Sequence, residues 1–326
     1  MSLVTVGEMH AFIASVFGSI KPSRDGLNVA IRCPRSECDS SRDPRKHKLV
    51  IHVERQCLHC WVCGFKARSL MPLLLRHASR EAAATYREKF LAGRVLSVSE
   101  EAQCAELRLP DGFRMLACAA ESDSAAQRAL RYVCDRRGLD RRMLWRFRPG
   151  VCDDPGWRDR VIMPSFDGQG GLSFFTGRAL APGMVSYRNC DVDKGSVVFN
   201  EINVDWSSRL VLCEGPFDLV KCGENAAPLL GSSLPEEGVL MDSILVNRTP
   251  VALALDSDMR VRSQELGRRL SEYGIDVLVV DLGDRHDPGE MTPAEFRDRL
   301  VEARPWSWRG MLSARLDRAT RATARL

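Results

Sequence analysis

Five cysteines crowded between positions 33 and 63 constrain this chain more than any other feature of its sequence. Cys33, Cys38, Cys57, Cys60 and Cys63 account for five of twelve cysteines in 326 residues. The opening residues lack the basic start and small-residue cleavage site of a secretory signal, so the thiols are expected to be reduced and the chain cytosolic. Clustered thiols in that setting point to metal rather than to disulfides. The spacing gives a Cys-x4-Cys pair, about twenty residues, and a Cys-x2-Cys pair, which together complete the tetrahedral S4 site that Zn²⁺ accepts. Leu27–Ile31 runs into the first pair and the alternating Lys48–Val53 precedes the second, so the expected local fold is a small β zinc ribbon. Gly64 follows the last ligand, where a tight thiolate turn needs a residue without Cβ.

Cys33, Cys38, Cys60 and Cys63 are the favoured ligands. Cys57 also makes a Cys-x2-Cys pair with Cys60, and His47, His52 and His59 are nearby alternatives. The seven remaining cysteines read as small core residues rather than ligands.

Hydrophobic residues make up 44% and charged residues 28% of the chain, a balance that requires folded domains rather than disorder. No apolar run reaches the length of a membrane span, the nearest being Leu70–Leu75. Helices are expected over 7–18, 67–77, 79–91, 123–137 and 141–147, with a linker from 93 to 110. Strands follow at 160–166 and 172–175. From Arg209 onward the pattern changes. Short continuous apolar runs at 209–213, 250–255 and 275–280 are separated by helical segments at 216–222 and 259–273. Buried runs alternating with helices imply a parallel sheet covered on both faces.

Each of those runs ends in acid. The first leads into Glu214-Gly215-Pro216-Phe217-Asp218, the second into Asp256-Ser257-Asp258, and the third into Asp281, Asp284 and Asp287-Pro288-Gly289-Glu290. In open α/β sheets the carboxyl ends of the strands host the chemistry. Carboxylates gathered there repel unless a divalent cation neutralises them, and all-oxygen ligation suits Mg²⁺ or Mn²⁺ acting on a phosphate ester. Asp258 and Asp284 taken singly also read as helix N-caps; Glu214 and Asp256 directly ending apolar runs do not.

This order of motifs resembles the TOPRIM domain of bacterial-type primases, of type IA and II topoisomerases and of some nucleases. Glu214 matches the family glutamate, and Asp256 and Asp258 its D-x-D pair. The His59-Cys60-Trp61-Val62-Cys63-Gly64 ribbon is similar to the template-scanning module of DNA primases. Arg160–Pro164, Gly177-Arg178, Tyr187-Arg188-Asn189 and Leu230–Leu234 match the stretches that lie between in bacterial and bacteriophage primases. The first cysteine pair is more widely spaced than in the family, and Ser186 stands where a lysine is usual. No P-loop of a fused helicase is present. The resemblance implies a multidomain protein: ribbon and following helices over 1–95, a basic subdomain over 96–205, a TOPRIM catalytic subdomain over 206–300, and an arginine-rich tail over 301–326.

It also implies a DNA primase of phage or mobile-element type, working in the bacterial cytoplasm beside a separate replicative helicase. Such an enzyme makes RNA primers from ribonucleoside triphosphates on single-stranded DNA. Glu214, Asp256 and Asp258 would be catalytic and would hold Mg²⁺ together with Asp287, Glu214 serving as ligand or as general base. Arg160, Arg178, Tyr187, Arg188, Asn189 and Trp61 would contact nucleic acid or nucleotide. Between Arg131 and Arg148, seven arginines face two acids, with Tyr132, Trp145 and Phe147 interleaved. Such a composition suits single-stranded nucleic acid and equally a solvated helix face. The tail from Arg304 to Leu326 has six arginines, one acid, Trp306 and Trp308, and reads as a DNA-binding segment, a helicase-docking segment or a solvated helix. The alternatives are a TOPRIM nuclease and a non-catalytic zinc-ribbon DNA-binding factor.

Overall fold

Burial along the N-terminal strands alternates as their sequences do. In the computed structural model, which describes residues 5–39, 46–91, 107–231, 233–236 and 238–313, the chain forms two units. The first takes residues 1–98, 234–249 and 272–275, and the second takes 99–233, 250–271 and 276–326.

In the first unit, α1 (Val6–Phe17) starts at a capping box in which Thr5 and Glu8 satisfy each other's backbone N–H groups. Five strands follow: β1 (Ile20–Pro22), β2 (Asn28–Ile31), β3 (Leu49–His52), β4 (Leu58–Cys60) and β5 (Lys66–Ala67). They pair in sequence order as an antiparallel sheet. Val29, Ile31, Leu49, Ile51 and Leu58 line its buried face. Helices α2 (Met71–His77) and α3 (Arg80–Tyr86) complete this core with α7 (Val239–Asn247), a helix contributed from far along the chain. Phe12, Tyr86 and Phe90 form one aromatic cluster, and the buried Tyr86 hydroxyl donates to Gln56 Oε1 at 2.5 Å.

The second unit holds two sheets. Strands β6 (Arg114–Met115), β7 (Gly150–Val151), β8 (Arg160–Phe166), β9 (Leu172–Ala179) and β10 (Tyr187–Asn189) form an antiparallel sheet, accompanied by α4 (Ser124–Arg131) and α5 (Arg141–Phe147). The other sheet has the order β12-β11-β13-β14-β15, with β11 (Leu210–Cys213), β12 (Ala226–Pro228), β13 (Val251–Leu253) and β14 (Val277–Val279) parallel. The fifth strand, β15 (Arg304–Pro305), runs antiparallel to β14. Every residue of β11, β12 and β13 is buried, as strands covered on both faces require. Helices α6 (Pro216–Leu219), α8 (Arg260–Glu272) and α9 (Pro293–Val301) connect and extend this sheet.

The strands at 160–166 and 209–213 lie where the sequence predicts them, and β9 extends four residues beyond Phe175. The helix expected over 67–77 begins only at Met71, because Lys66 and Ala67 pair with β4 and Pro72 is tolerated only in a first turn. Two expected helices finish in a π turn, at Arg87–Leu91 and Tyr132–Arg136. The boundary at 95 and 96, most of the linker, and the tail from 314 to 326 lie outside the described residues. No helix among the described residues is long and apolar enough to cross a membrane.

Candidate functional sites: a four-thiol cluster and an acidic strand edge

Strands β2 and β4 both run antiparallel to β3, so their carboxyl ends lie at the same end of the first sheet. Cys33 follows β2 and Cys60 ends β4, each starting a tight turn. Cys38 N–H donates to the Arg35 carbonyl at 3.0 Å, and Gly64 N–H to the Cys60 carbonyl at 3.0 Å. Gly64 adopts φ +72°, the left-handed conformation that glycine takes without strain. The Sγ atoms of Cys33, Cys38, Cys60 and Cys63 all lie within 4.8 Å of one another, and Cys38 and Cys60 are 3.7 Å apart. A tetrahedron of Zn–S bonds of about 2.3 Å has edges of about 3.8 Å, so the cluster fits the ion. Burial pushes the Cys33 and Cys63 thiols above their ordinary range, so four ionised sulfurs in this position require a cation. Cys57, His47, His52 and His59 are not part of the cluster. Trp61 is 71% exposed on the knuckle turn and packs on the His59 ring at 4.4 Å.

On the parallel sheet, β11 delivers Glu214 and β13 delivers Asp256 to the same edge. Asp218 comes from the first turn of α6, where its Oδ2 accepts the Gly215 N–H at 2.9 Å. The loop after β14 brings His286 and Asp287. Ser257 N–H donates to the His286 carbonyl at 2.8 Å, which holds the two acidic loops together. Ligand atoms of Asp256, His286 and Asp287 lie within 4.8 Å of one another. Gly289 closes the arrangement: a Cβ there would stand 2.9 Å from both Asp218 Oδ1 and Asp287 Oδ1.

This edge is electrostatically strained. Burial, then the charge of Asp256, pushes Glu214 up to about 7. Burial, then Asp287 and Asp256, pushes Asp218 up to about 7 as well. Asp256 rises to about 6 through burial and then Asp287. Glu214 Oε1 and Asp256 Oδ1 are buried without a hydrogen-bond partner among the described residues. Orphaned carboxylate oxygens beside mutually repelling acids are the donor set that a hard divalent cation satisfies.

Asp258 lies exposed on the turn Ser257–Met259, outside the close trio. Asp281 accepts the Gly283 N–H at 3.0 Å, and Asp284 is exposed. Asp218 and His286 join the site although sequence reasoning did not single them out. The place of Asp218, four residues after Glu214 and across one helical turn, was the available cue.

The proposed nucleic-acid contacts are placed unequally. Arg160 is buried, and its Nη1 donates to the carbonyls of Gly177 and Val185 at 3.2 and 2.8 Å. Arg178 lies over the Tyr187 ring at 4.7 Å, and burial first of all pushes the Tyr187 hydroxyl up to about 12. Exposed Arg188 lies over Trp157 at 4.8 Å and donates to the Gly156 carbonyl. Asn189 Oδ1 accepts the Thr176 hydroxyl at 2.7 Å. In the arginine-rich stretch Phe147 is core and Trp145 is 48% exposed. Arg142 pairs with Glu224 at 2.6 Å. Trp306 Nε1 donates to the Gln264 carbonyl at 2.9 Å, while Trp308 is 57% exposed.

No protein-family model matches the chain, and comparison with curated protein sequences gives no match. Among solved structures, it is similar to the zinc-binding and RNA polymerase domains of the Aquifex aeolicus primase, at 17% identity and TM-score 0.49, over 91% of this chain and 83% of that one. It is similar to the E. coli primase catalytic core at 21% identity and TM-score 0.46, over 56% of this chain and 75% of that one. A DnaG primase catalytic domain bound to single-stranded DNA gives 21% and 0.47, over 57% and 74%.

Proposed function

We propose that this chain is a DNA primase that synthesises short RNA primers on single-stranded DNA, with a zinc ribbon and a TOPRIM-type catalytic sheet. The observation that carries the reading is the convergence of Glu214, Asp218, Asp256 and Asp287 at one end of parallel strands, with two buried oxygens left unpartnered. Such an edge is built for a divalent cation and a phosphate ester.

In the reaction, the 3′-hydroxyl of one ribonucleotide attacks the α-phosphorus of the incoming triphosphate, and pyrophosphate leaves with the electrons of the broken P–O bond. Asp256 and Asp287 would hold Mg²⁺ or Mn²⁺, with Asp258 at the exposed side and Asp218 behind. A bound ion would neutralise charge on the phosphoryl oxygens. Glu214, raised to near neutrality, either completes that ligand set or takes the proton of the attacking hydroxyl. Arg160 braces β8 and β9 through backbone carbonyls, leaving Arg178 and Arg188 with Tyr187 and Asn189 as the surface for template or triphosphate. Exposed Trp61 is the stacking platform of the ribbon.

The test combines the purified chain with single-stranded DNA, labelled ribonucleoside triphosphates and Mg²⁺. Oligoribonucleotides lost in Asp256→Ala are expected. Degraded DNA without synthesis identifies a nuclease instead, and binding with neither activity identifies a DNA-binding factor.

A further inference from the structure

One lysine beside the acidic edge sits where a lysine costs stability. Lys221 is 5% exposed, and its ammonium has neither a hydrogen bond nor an ion pair among the described residues. The charged group that acts on it is another cation, Arg137; with burial as the larger cause, this holds the ammonium below its ordinary range. A lysine whose stem is buried and whose unpaired ammonium faces a guanidinium is destabilising, and an apolar residue of similar length would serve the fold better.

Local geometry keeps that ammonium open to an approaching group. Gly138, exposed at φ +64°, ends the segment that carries Arg137, and a Cβ on it would stand 2.6 Å from Lys221 Nζ. Glycine there permits the left-handed turn and leaves the space beside Nζ clear. Arg137 is held in place by aromatic packing. Its guanidinium lies 5.6 Å from the ring centres of both Tyr132 and Phe217, and its Nε donates to the Tyr132 hydroxyl at 3.1 Å. Its Nη1 lies 3.5 Å from the Cβ position of Gly289, the point that both Asp218 and Asp287 approach. Lys221 is tied to the same turn, because its backbone N–H donates to the Asp218 carbonyl at 2.9 Å. Arg137, which faces Asp218, and Lys221, which has no anion of its own among the described residues, thus lie together beside the α6 turn.

We propose that Lys221, with Arg137 beside it, forms a phosphate-binding site next to the acidic cluster. Its ligand is a phosphoryl group with oxygens spread widely enough to meet an ammonium and a guanidinium together. That phosphoryl group belongs either to the incoming triphosphate or to the template backbone, and only this choice of source rests on the nucleotidyl-transfer reading.

The experiment uses the zinc-loaded chain in Mg²⁺-free buffer at low salt, with inorganic tripolyphosphate and a fluorescent oligothymidylate as probes. Lys221→Met removes the charge and keeps the buried stem. It is expected to weaken tripolyphosphate or oligonucleotide binding about tenfold or more, the scale of one charged hydrogen bond, while Lys221→Arg retains binding. Loss for tripolyphosphate alone assigns the site to the nucleotide, and loss for the oligonucleotide assigns it to the template. The melting temperature of Lys221→Met should equal or exceed that of the parent, which a structural lysine would not allow. Gly138→Ala keeps both charges and sets a methyl group against Nζ, so it should weaken the same binding. Unchanged binding of both probes by Lys221→Met and Gly138→Ala overturns the proposal. Because neither probe requires polymerisation, a Lys221 effect in a chain that makes no primer refutes the primase reading alone.

Discussion

Binding of a divalent cation at the acidic edge should release protons, and the structure gives their number. Without metal, Glu214 and Asp218 titrate at about 7 and Asp256 at about 6. At pH 7 each of the first two therefore carries about half a proton and Asp256 about a tenth, about one proton in all. An ion held by Asp256 and Asp287, with its charge close to Glu214 and Asp218, favours the ionised form of all these acids, so that proton must leave. Titration calorimetry with Mg²⁺ in two pH 7 buffers of different ionisation enthalpy reads the number directly. The account predicts about one proton per ion at pH 7, close to none at pH 9, and metal affinity that falls steeply below pH 6. Stability follows the same linkage. These acids are raised above their ordinary values, so their stabilising contribution is complete below about pH 4 and is lost as pH rises through about 7. Thermal melts of the metal-free protein should fall across that window, and Mg²⁺ should restore them at pH 8. Mg²⁺ binding at pH 7 without proton release would refute the electrostatic reasoning.

Other consequences are local. Cys38→Ser should abolish the bound zinc, measured as about one ion per chain in the parent, and unfold the five-stranded sheet, whereas Cys57→Ser should leave zinc content unchanged. Trp61→Ala, at an exposed position, should change stability by less than about 0.5 kcal/mol yet weaken single-stranded DNA binding by about 1–3 kcal/mol in a fluorescence titration. Gly289→Ala places a methyl group 2.9 Å from both Asp218 Oδ1 and Asp287 Oδ1, so Mg²⁺ affinity by calorimetry should fall while the zinc content stays at one.

Much of the site was legible because parallel strands buried on both faces leave unmistakable apolar runs, and Glu214 and Asp256 end two of them. Spacing favoured four of the clustered cysteines but left Cys57 and three histidines open, and the distances among the sulfurs separate them. Other elements left no pattern. Val239–Asn247 is buried from Val239 to Leu245, so its helix lacks the apolar stripe that marks a half-exposed one. Ala226–Pro228 forms a buried strand with no β-branched residue, carried by its partner β11. Arginines looked alike in the sequence, yet Arg160 is buried and Arg188 exposed although both donate to backbone carbonyls, a distinction only packing makes. Lys221 lies within the segment 216–222 expected to be helical, and nothing in that pattern marks its burial.

The most direct test of the central claim is the stoichiometry of pyrophosphate release on single-stranded DNA in the presence of ribonucleoside triphosphates and Mg²⁺. One pyrophosphate per ribonucleotide joined, and none of either in Asp256→Ala, is the result this account predicts. A zinc-loaded parent chain that binds Mg²⁺ and the template, yet joins no nucleotides and releases no pyrophosphate, would contradict it.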